Sequence, residues 1–598
     1  MFTLPAIITI IVIVLAIGFL LFSKIRPDLI ALMVLLSLGL TQVVTSTEAF
    51  SGFSSTAVMT ILGISMVSVA LQQTGAANAL GKLIFKIGGK SEWLTIFFVT
   101  LASATLSLFM NNIASVGILL PAVMSLSRRS RIPPSRLLMP LAFGTILGGM
   151  ATLLTTANII VSGALKQANI SSFGLLDYFP VGGPVALVGI LYITILGRKL
   201  LPKNAATDSG SFTRLSERLQ EQYFHNRTFH RVQVLPGSSL AGKTLRQADL
   251  ESSQGIQIVS LMRGKKLIAS TAPEMVLQAN DTLVVSGHVH GDKLAPLGLL
   301  DESPAEPLSL SVNDAEPMAE VMITPHSRLI GQSIREIDIR NRYSLNVRGI
   351  WRQGKPITEN FTTSALQFGD ALLVQGPALK VSALHHSQDM MLLEEDPDAV
   401  YRPAKIGLAL IITLVTLTIA ALDLFPVPLV ILAGAVVLML TGCMSIMDAF
   451  QKIEWKPIFL IAGMWPLTIA LQKTGLAQQA IQSVIPTLSA LHPIWVVAAF
   501  VLLAMLFTQF LSGPVAPIII TPLALQAAQS LSIDPHPLAM AVALGCSLAF
   551  IFPISHPVNV MVMNPAGYTF KDYLRAGLPL TLLAFCAIVL SISFAWGL

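Results

Sequence analysis

Long apolar runs separated by short polar loops fill both ends of this chain. A run of roughly 17 to 25 residues is long enough to cross a bilayer as a helix. Such runs lie at 4–23, 28–46, 57–80, 137–167 and 178–200, and again at 404–423, 427–445, 457–480, 537–561 and 576–597. Residues 203–400 contain no comparable run and hold most of the acidic and His residues. The pattern predicts ten membrane crossings with a soluble domain inserted between them.

Parts of the first apolar region return in the second, 400 residues later. The Glu-Ala-Phe of 48–50 returns as Asp-Ala-Phe at 448–450, and the segment 70–75 returns with one change at 470–475. Both copies are apolar segments interrupted by Gly and Pro, a pattern typical of transporters built from internal repeats. The predicted binding site therefore lies between the two copies.

The loop charges reverse between the two copies. In the first copy the loop at 47–56 has no Lys or Arg, and the stretch before residue 137 has four Arg. In the second copy the loop that matches 47–56 gains Lys452 and Lys456, while 528–536 has no Lys or Arg. Because cytoplasmic loops collect Lys and Arg, the two copies face opposite ways. The predicted fold class is a polytopic α-helical membrane protein with an inverted-topology repeat, whose insert is cytoplasmic.

Composition excludes the other classes of protein. Of the 598 residues, 53% are hydrophobic and only 12% are charged, which does not fit a soluble chain. The net charge of +6 requires no nucleic acid, because cytoplasmic loops of membrane proteins are basic. Three Cys residues in apolar runs, Cys443, Cys546 and Cys586, have no metal-ligand spacing and indicate free thiols. No catalytic constellation is visible, so an enzyme is not expected.

Two further segments each contain a polar break. Segments 93–127 and 493–527 must enter and leave the membrane on the same side if the charge assignments are to agree. Asn111-Asn112 interrupts the first, and Ser512-Gly513-Pro514 interrupts the second. We predict re-entrant hairpins, whose tips are tolerated only inside protein or beside a polar cavity. The helices that follow have weak points at 148–158 and 553–559, where a broken helix offers carbonyls to a cation and amides to an anion.

At these residues the chain resembles the divalent anion:sodium symporter family of the ion transporter superfamily. Hairpin tips in that family carry Ser-Asn-Thr with a Pro ten residues after the Ser. The spacing from Asn111 to Pro121 and from Ser512 to Pro522 is the same here, although the amino acids at the tips differ. The Thr-Pro-Pro-Asn-like stretch of the family's broken helices becomes Thr-Thr-Ala-Asn at 155–158 and His-Pro-Val-Asn at 556–559.

The resemblance implies two kinds of site. Carried over by position, the substrate-binding residues are Asn112, Ile113, Thr156, Asn158, Ser512, Gly513, His556 and Asn559. The cation-binding positions are Asn111, Asn112, Ser115 and the backbone at Leu154 in the first copy, and Ser512 and the backbone at Ser555 in the second. The implied substrate is a small anion such as sulfate or a di- or tricarboxylate. Na⁺ or H⁺ is the expected coupling ion and no cofactor is implied, but Gly513 and Pro514 weaken the second cation site.

His556 and the tip asparagines leave alternatives open. His556 stands where the family has Thr, and an ionisable residue at membrane depth is a functional hypothesis by default. It binds the anion when protonated, carries a coupling proton, or is a neutral His bonded to a carbonyl. For Asn111 and Asn112 the alternative to function is hydrogen bonding between helices.

The insert is itself a tandem repeat with a period of 89 residues. Four pairs carry it: Arg263 and Arg352, Asp281 and Asp370, Gly242 and Gly331, Gly287 and Gly376. The units resemble the C-terminal domains of potassium-conductance regulators (RCK C-terminal domains), which implies pairing into a homodimer and a small-molecule ligand. A phosphate-loop formula at 237–244 loses its first Gly and its Lys in the duplicate, so we interpret it as a turn.

The complete prediction is a multi-pass transporter of the cell inner membrane, with the lipid bilayer, a small anion and a second copy as partners. The boundaries are 1–202 for membrane repeat 1, 203–224 for a linker, 225–300 and 316–392 for the two small domains, 301–315 and 393–402 for linkers, and 403–598 for membrane repeat 2. One alternative is a monovalent cation transporter regulated by these domains, although no Thr-Val-Gly-Tyr-Gly-like filter is present. The other is a ligand-sensing membrane protein with weak transport.

Overall fold

A computed structural model gives the architecture. In the apolar parts it describes residues 3–22, 25–76, 91–130, 132–202, 405–453, 455–511 and 514–598; in the insert it describes 229–248, 257–263, 266–268, 275–286, 295–301, 318–325, 327–352, 355–357, 361–376, 380–381, 384, 387 and 389–393. The chain divides into two compact units. One comprises Met1–Asp208, Thr324–Arg328 and Leu393–Leu598, and the other comprises Ser209–Ile323 and Leu329–Leu392.

Within its described residues, the regular structure of the first apolar part is entirely helical. Its helices are α1 (Leu4–Phe22), α2 (Pro27–Leu40), α3 (Ser46–Phe50), α4 (Thr56–Thr74), α5 (Glu92–Ser107), α6 (Asn112–Ser130), α7 (Pro134–Gly149), α8 (Thr156–Gln167) and α9 (Phe179–Tyr192). A π-helical segment, Ile193–Gly197, and a final turn, Arg198–Leu200, extend α9. Gly75 ends α4 in the left-handed conformation with φ of 76°, a geometry that favours Gly.

The second apolar part repeats this order of helices. It contains α10 (Ile406–Ala421), α11 (Val427–Leu440), α12 (Ile446–Lys452), α13 (Trp455–Lys473), α14 (Leu476–Gln482), α15 (Ile485–Leu488), α16 (Pro493–Phe510), α17 (Val515–Leu531), α18 (Pro535–Gly545), α19 (Pro557–Ala566) and α20 (Phe570–Trp596). Several lengths agree between the copies: α2 and α11 have 14 residues each, and α4 and α13 have 19 each.

The two copies pack against each other through matching pairs of helices. Helix α2 of the first copy lies against α13 of the second, and α11 of the second lies against α4 of the first. Likewise α8 packs on α17 and α18, while α19 packs on α6 and α7. Small residues permit the close approaches, because a Cβ at Gly63 would overlap Ile431 and one at Gly463 would overlap Ala31. The halves therefore form one packed body.

Helix ends fall at the polar breaks that the sequence indicates. Helix α5 ends at Ser107 and α6 begins at Asn112, and α16 ends at Phe510 before α17 begins at Val515. A non-helical segment separates α7 from α8, and a segment whose only helical part is the 3₁₀ turn Pro553–Ser555 separates α18 from α19. The expectation of a loop over 47–56 is wrong in part: a capping box between Thr45 and Glu48 starts α3, and a 3₁₀ turn follows at Ser51–Ser54.

Several of these helices suit a membrane. Within the described residues, four helices are long and apolar enough to cross one: Ser46–Thr74, Phe179–Leu200, Pro493–Phe510 and Phe570–Trp596. Seven shorter apolar helices of 10 to 17 residues accompany them. Large apolar side chains such as Leu40, Leu440 and Phe594 are more than 80% exposed, which suits helices facing lipid.

The insert forms two five-stranded antiparallel sheets with the same topology. The first contains β1 (Phe229–Val234), β2 (Gln257–Arg263), β3 (Lys266–Ile268), β4 (Thr282–Ser286) and β5 (Leu299–Asp301), in the order β3-β2-β4-β1-β5. The second contains β6 (Met318–Ile323), β7 (Asn346–Arg352), β8 (Lys355–Ile357), β9 (Ala371–Gln375) and β10 (Met390–Leu392), in the order β8-β7-β9-β6-β10. Each sheet has its own apolar core.

The 89-residue period marks a structural ion pair in each sheet. Arg263 binds both carboxylate oxygens of Asp281 at 2.8 Å, and Arg352 binds Asp370 at 2.8 and 2.6 Å. Each aspartate is only 1% exposed, and a buried carboxylate requires a hydrogen-bonded partner of this kind. The ion pair raises the pKa of Arg263. These recurring residues are therefore explained by the fold.

Backbone amides in and beside the phosphate-loop motif at 237–244 form hydrogen bonds within the domain. The amide of Gly242 donates to the carbonyl of Leu277, and the amide of Leu245 donates to the carbonyl of Met275. The described part of the helix that follows is Leu245–Ala248. Amides used in this way cannot cradle a phosphate, which supports the interpretation as a turn.

Candidate functional site

The tip of the first hairpin is shaped by Asn111. Its Oδ1 accepts a hydrogen bond from the amide of Ala114 at 2.7 Å, so the side chain caps the first turn of α6. The Ser115 hydroxyl donates to the Asn111 carbonyl at 3.1 Å. The Asn111 side chain therefore has a structural task.

Asn112 faces the second copy instead. Its Oδ1 lies 2.5 Å from the Ser107 hydroxyl at the end of α5, and its Nδ2 lies 3.4 Å from Nε2 of His556. Both Asn112 and His556 are half-buried. A hairpin tip of one copy thus meets the broken helix of the other at two polar side chains. The sequence places these residues 444 positions apart.

The backbone around His556 decides which ring nitrogen carries the proton. His556 is the N-cap of α19, and its Nδ1 accepts from the amide of Val558 at 3.3 Å. A neutral ring that accepts at Nδ1 carries its proton on Nε2. Nε2–H then points toward Asn112, whose Oδ1 accepts from the Ser107 hydroxyl and whose Nδ2 is the amide atom nearest the ring. The pair therefore presents N–H donors without fixed charge.

Asn158 and Asn559 make duplicate contacts in the two broken helices. The Nδ2 of Asn158 donates to the Thr152 carbonyl at 2.7 Å, and the Nδ2 of Asn559 donates to the Ala549 carbonyl at 2.8 Å. The main-chain carbonyl of each Asn accepts from a buried tyrosine hydroxyl, Tyr178 at 3.0 Å and Tyr573 at 2.6 Å. Each Asn fixes the non-helical segment that precedes its helix.

Several oxygens beside the breaks have no partner among the described residues. In the first copy they are Thr152 Oγ1, Thr155 Oγ1 and Asn158 Oδ1; in the second they are Gln509 Oε1 and Asn559 Oδ1. Burying a polar atom without a partner costs about 1–3 kcal/mol. Hard cations prefer oxygen ligands of this kind. Both breaks therefore contain buried oxygen atoms that can accept a hydrogen bond or coordinate a cation.

The remaining predicted residues are distributed as follows. Ile113 and Thr156 are half-buried in the first turns of α6 and α8, and Leu154 is buried in the break between α7 and α8. The Ser555 hydroxyl donates to Ala549 at 3.1 Å and to Phe552 at 2.6 Å. Ser512 and Gly513 lie outside the described residues.

Sequence reasoning missed four residues that shape this region: Ser107, Gln509, Tyr178 and Tyr573. Gln509 is 3% exposed, and its Nε2 donates to the Leu548 carbonyl at 2.7 Å. A Gln inside the apolar run of α16 is a visible signal, because a buried amide requires partners. The tyrosines carry no such signal, since their contacts span two helices.

The profile of the citrate transporter family, CitMHS, matches residues 17–545. The chain belongs to the citrate transporter family. An uncharacterized transporter of Synechocystis is 30% identical over 98% of this chain and 97% of that protein. Sodium/sulfate cotransporter 1 of Chlamydomonas reinhardtii is 26% identical over 56% of this chain and 39% of its own length. The YdaH transporter structure of Alcanivorax borkumensis covers 99% of this chain and 98% of its own, at 13% identity and a TM-score of 0.46.

Membership of the citrate transporter family confirms the resemblance drawn from the hairpin tips and broken helices. It also makes the chain a multi-pass membrane transporter and not an enzyme. Within this family the described geometry adds a specific pair, Asn112 and His556, where a hairpin tip and a broken helix from different copies meet.

Proposed function

We propose that this chain is a secondary active transporter that moves a small anion across the cell inner membrane, driven by a cation. Sulfate and di- or tricarboxylates are the proposed substrates. The family description names citrate, and a relative is named a sodium/sulfate cotransporter. The insert is proposed to lie in the cytoplasm and to regulate transport by binding a small molecule or by pairing in a homodimer.

The observation that carries the proposal is the contact of Asn112 with His556 at 3.4 Å. These side chains supply N–H donors, and the N-termini of α6 and α19 lie beside them. Helix N-termini and neutral donors favour an anion. An anion held without Lys or Arg is released more easily than one in a full ion pair, which suits a carrier.

The proposed site lies between copies of opposite orientation. The helix packing supports this, because each pairing between copies described above has a counterpart with the two copies interchanged. The reversal of loop charge from 47–56 to the matching second-copy loop supports it independently. Segments α5–α6 and α16–α17 are then re-entrant hairpins from opposite faces.

The proposed cation sites are the two breaks. In the first copy, Asn111, Asn112, Ser115 and the Leu154 backbone are joined by the unused oxygens of Thr152, Thr155 and Asn158. In the second copy, Gln509 Oε1 and Asn559 Oδ1 supply the oxygen ligands, whereas the side chain of Pro514 has no oxygen. Gln509 also lies in the last turn of α16, where the helix dipole favours positive charge.

Uptake into proteoliposomes tests the proposal. Labelled sulfate, citrate and succinate are each supplied over a matrix of Na⁺ concentration and pH, with labelled rubidium as the competing cation cargo. We expect anion uptake that rises with Na⁺ or with protons. The variant Gln509→Leu is expected to weaken a Na⁺ dependence, while exposed Gln529→Leu leaves it unchanged. Rubidium flux without anion flux would overturn the proposal in favour of a cation pathway.

A further inference from the structure

The hydroxyl of Tyr568 takes part in the hydrogen bonding of a helix in the other copy. Tyr568 follows α19 of the second copy, and its hydroxyl accepts from the amide of Met139 in α7 at 2.8 Å. The same hydroxyl donates to the carbonyl of Ser135 at 2.8 Å. A regular α-helix joins the carbonyl of residue i to the amide of residue i+4, and these are two such groups. The hydroxyl therefore contacts both groups of one turn of α7.

This turn of α7 is also weakened by Pro140. Pro140 lies inside the helix and has no amide, so it cannot donate to the carbonyl of Arg136. At position 139 the amide binds a hydroxyl from outside, and at position 140 the donor is missing. An inserted side chain and a Pro are both common causes of a bend in a helix. The shape of α7 at this turn therefore depends on Tyr568.

The backbone of Tyr568 belongs to the C-terminal end of α19. Gly567 ends this helix in the left-handed conformation with φ of 65°, and the amide of Tyr568 donates to the Met563 carbonyl at 2.9 Å. This arrangement is a Schellman motif, which fixes the residue after the Gly to the last turn. The helix has ten residues and carries His556 and Asn559 at its other end. The Tyr568 hydroxyl thus anchors a short helix that begins at the candidate site.

A second tyrosine anchors the beginning of α19. The hydroxyl of Tyr573 donates to the Asn559 carbonyl at 2.6 Å, and its ring meets the Tyr568 ring edge-on with centres 5.7 Å apart. Phe143 of α7 lies edge-on to Tyr573, with ring centres 6.2 Å apart. All three rings are fully buried. The aromatic cluster therefore joins α7 of the first copy to both ends of α19.

The equivalent position of the first copy has no hydroxyl. Helix α8 ends in the same way, with Asn169 in the left-handed conformation at φ of 57° and the amide of Ile170 donating to the Leu165 carbonyl at 2.9 Å. Ile170 thus takes the place of Tyr568. Helix α8 packs on α18 as α19 packs on α7. Of the two equivalent positions, only the one in the second copy can supply a hydroxyl anchor.

We infer that Tyr568 is a positioning residue for the cation site of the second break, because its hydroxyl holds α19 against α7. The inference rests on the proposed function, which assigns Asn559 Oδ1 to cation binding. That oxygen has no hydrogen-bond partner among the described residues, whereas Nδ2 of the same side chain donates to the Ala549 carbonyl at 2.8 Å. Ligand atoms that are held in place beforehand bind more tightly. Loss of the anchor therefore weakens cation binding, although Tyr568 itself does not contact the cation.

Tyr568→Phe tests the inference, because it removes the hydroxyl and keeps the ring. Anion uptake into proteoliposomes is measured against the concentration of Na⁺, or of protons where these drive the parent. The half-saturating cation concentration should rise about three- to ten-fold, as expected when one supporting hydrogen bond is lost. The maximal rate at saturating cation should stay within about two-fold of the parent, because the substrate contacts are unchanged.

Tyr192→Phe is the matched control. The Tyr192 hydroxyl is also buried and donates to a main-chain carbonyl of the other copy, that of Ala576, at 2.9 Å. This bond joins α9 to α20 and does not involve α19. The control should keep the half-saturating cation concentration of the parent. An unchanged value in Tyr568→Phe, or the same rise in both variants, would mean a merely structural hydroxyl and would overturn the inference.

Hydrogen exchange of the purified full chain tests the anchor without transport. In Tyr568→Phe the amides of 549–566 should exchange about ten-fold faster than in the parent, because α19 loses one of its anchors. The amides of 150–167 should be unchanged, and Tyr192→Phe should leave both segments unchanged. Unaltered exchange over 549–566 would overturn the inference. Faster exchange there, in a parent that moves no anion, would remove the proposed function and keep Tyr568 as the residue that positions α19.

Discussion

Asn111 and Asn112 are adjacent in the sequence but their side chains make different contacts. Asn111 caps α6 through the amide of Ala114, whereas Asn112 contacts Ser107 and His556. The two asparagines together predict a special tip, and the family resemblance assigns both to cation binding. The sequence cannot separate them, because the difference depends on which way each side chain points at the start of a helix.

Substitution can separate the two roles. Asn111→Ala should lower the free energy of unfolding by about 1 kcal/mol, because a helix loses its N-cap. Asn112→Ala should leave unfolding nearly unchanged and reduce anion uptake at least ten-fold, roughly the effect of losing 1.4 kcal/mol of binding. Thermal unfolding and initial uptake rates measure the two quantities. Full uptake by Asn112→Ala would remove it from the proposed site.

At the scale of elements, the broken helices are held by close contacts of neighbouring helices. A Cβ at Gly182 of α9 would overlap the Met150 carbonyl, and one at Gly577 of α20 would overlap the Phe550 carbonyl. Each of these carbonyls lies where its helix breaks. Both glycines therefore bring a long helix against a non-helical backbone. The sequence indicates the breaks through Gly and Pro but not these partners.

Gly182→Ala and Gly577→Ala should each destabilise the protein by about 1–3 kcal/mol, because the added methyl overfills a close contact. Gly183→Ala is the matched control, since its Cβ would meet only the Phe179 ring at 3.5 Å or more. It should destabilise the protein less, because the added methyl displaces no packed neighbour and crowds only the ring of the following Pro184. Thermal unfolding of the purified variants measures this, and equal losses at 182 and 183 would contradict it.

At the scale of the molecule, sequence repeats and structural packing agree on duplication. The sequence predicts the helix breaks and the 89-residue period of the insert, because Gly, Pro and charged residues mark them directly. It does not predict that α2 pairs with α13 or that Asn112 reaches His556, since contacts between copies depend on shape. Gln509 differs from these contacts, because a Gln inside an apolar run is visible in the sequence.

The opposite orientation of the copies can be tested by labelling. Thr47 and Met447 occupy matching positions and are both exposed. In a variant without Cys443, Cys546 and Cys586, Thr47→Cys should react with a membrane-impermeant maleimide in intact cells. Met447→Cys should react only after the membrane is permeabilised, because its loop is cytoplasmic by the charge rule. Labelling of both from the same side would exclude an inverted repeat.

The packing of α2 against α13 also affects the order in which the protein can assemble during synthesis. Helix α2 ends at residue 40, and α13 begins at residue 455, with the whole insert translated between them. At about 5–20 residues per second, the ribosome needs roughly 20–80 s to supply that partner. During this interval the first half lies in the membrane, and the face of α2 that contains Ala31 has no helix packed against it. Biogenesis thus includes a waiting state in which lipid or an insertion factor covers that face.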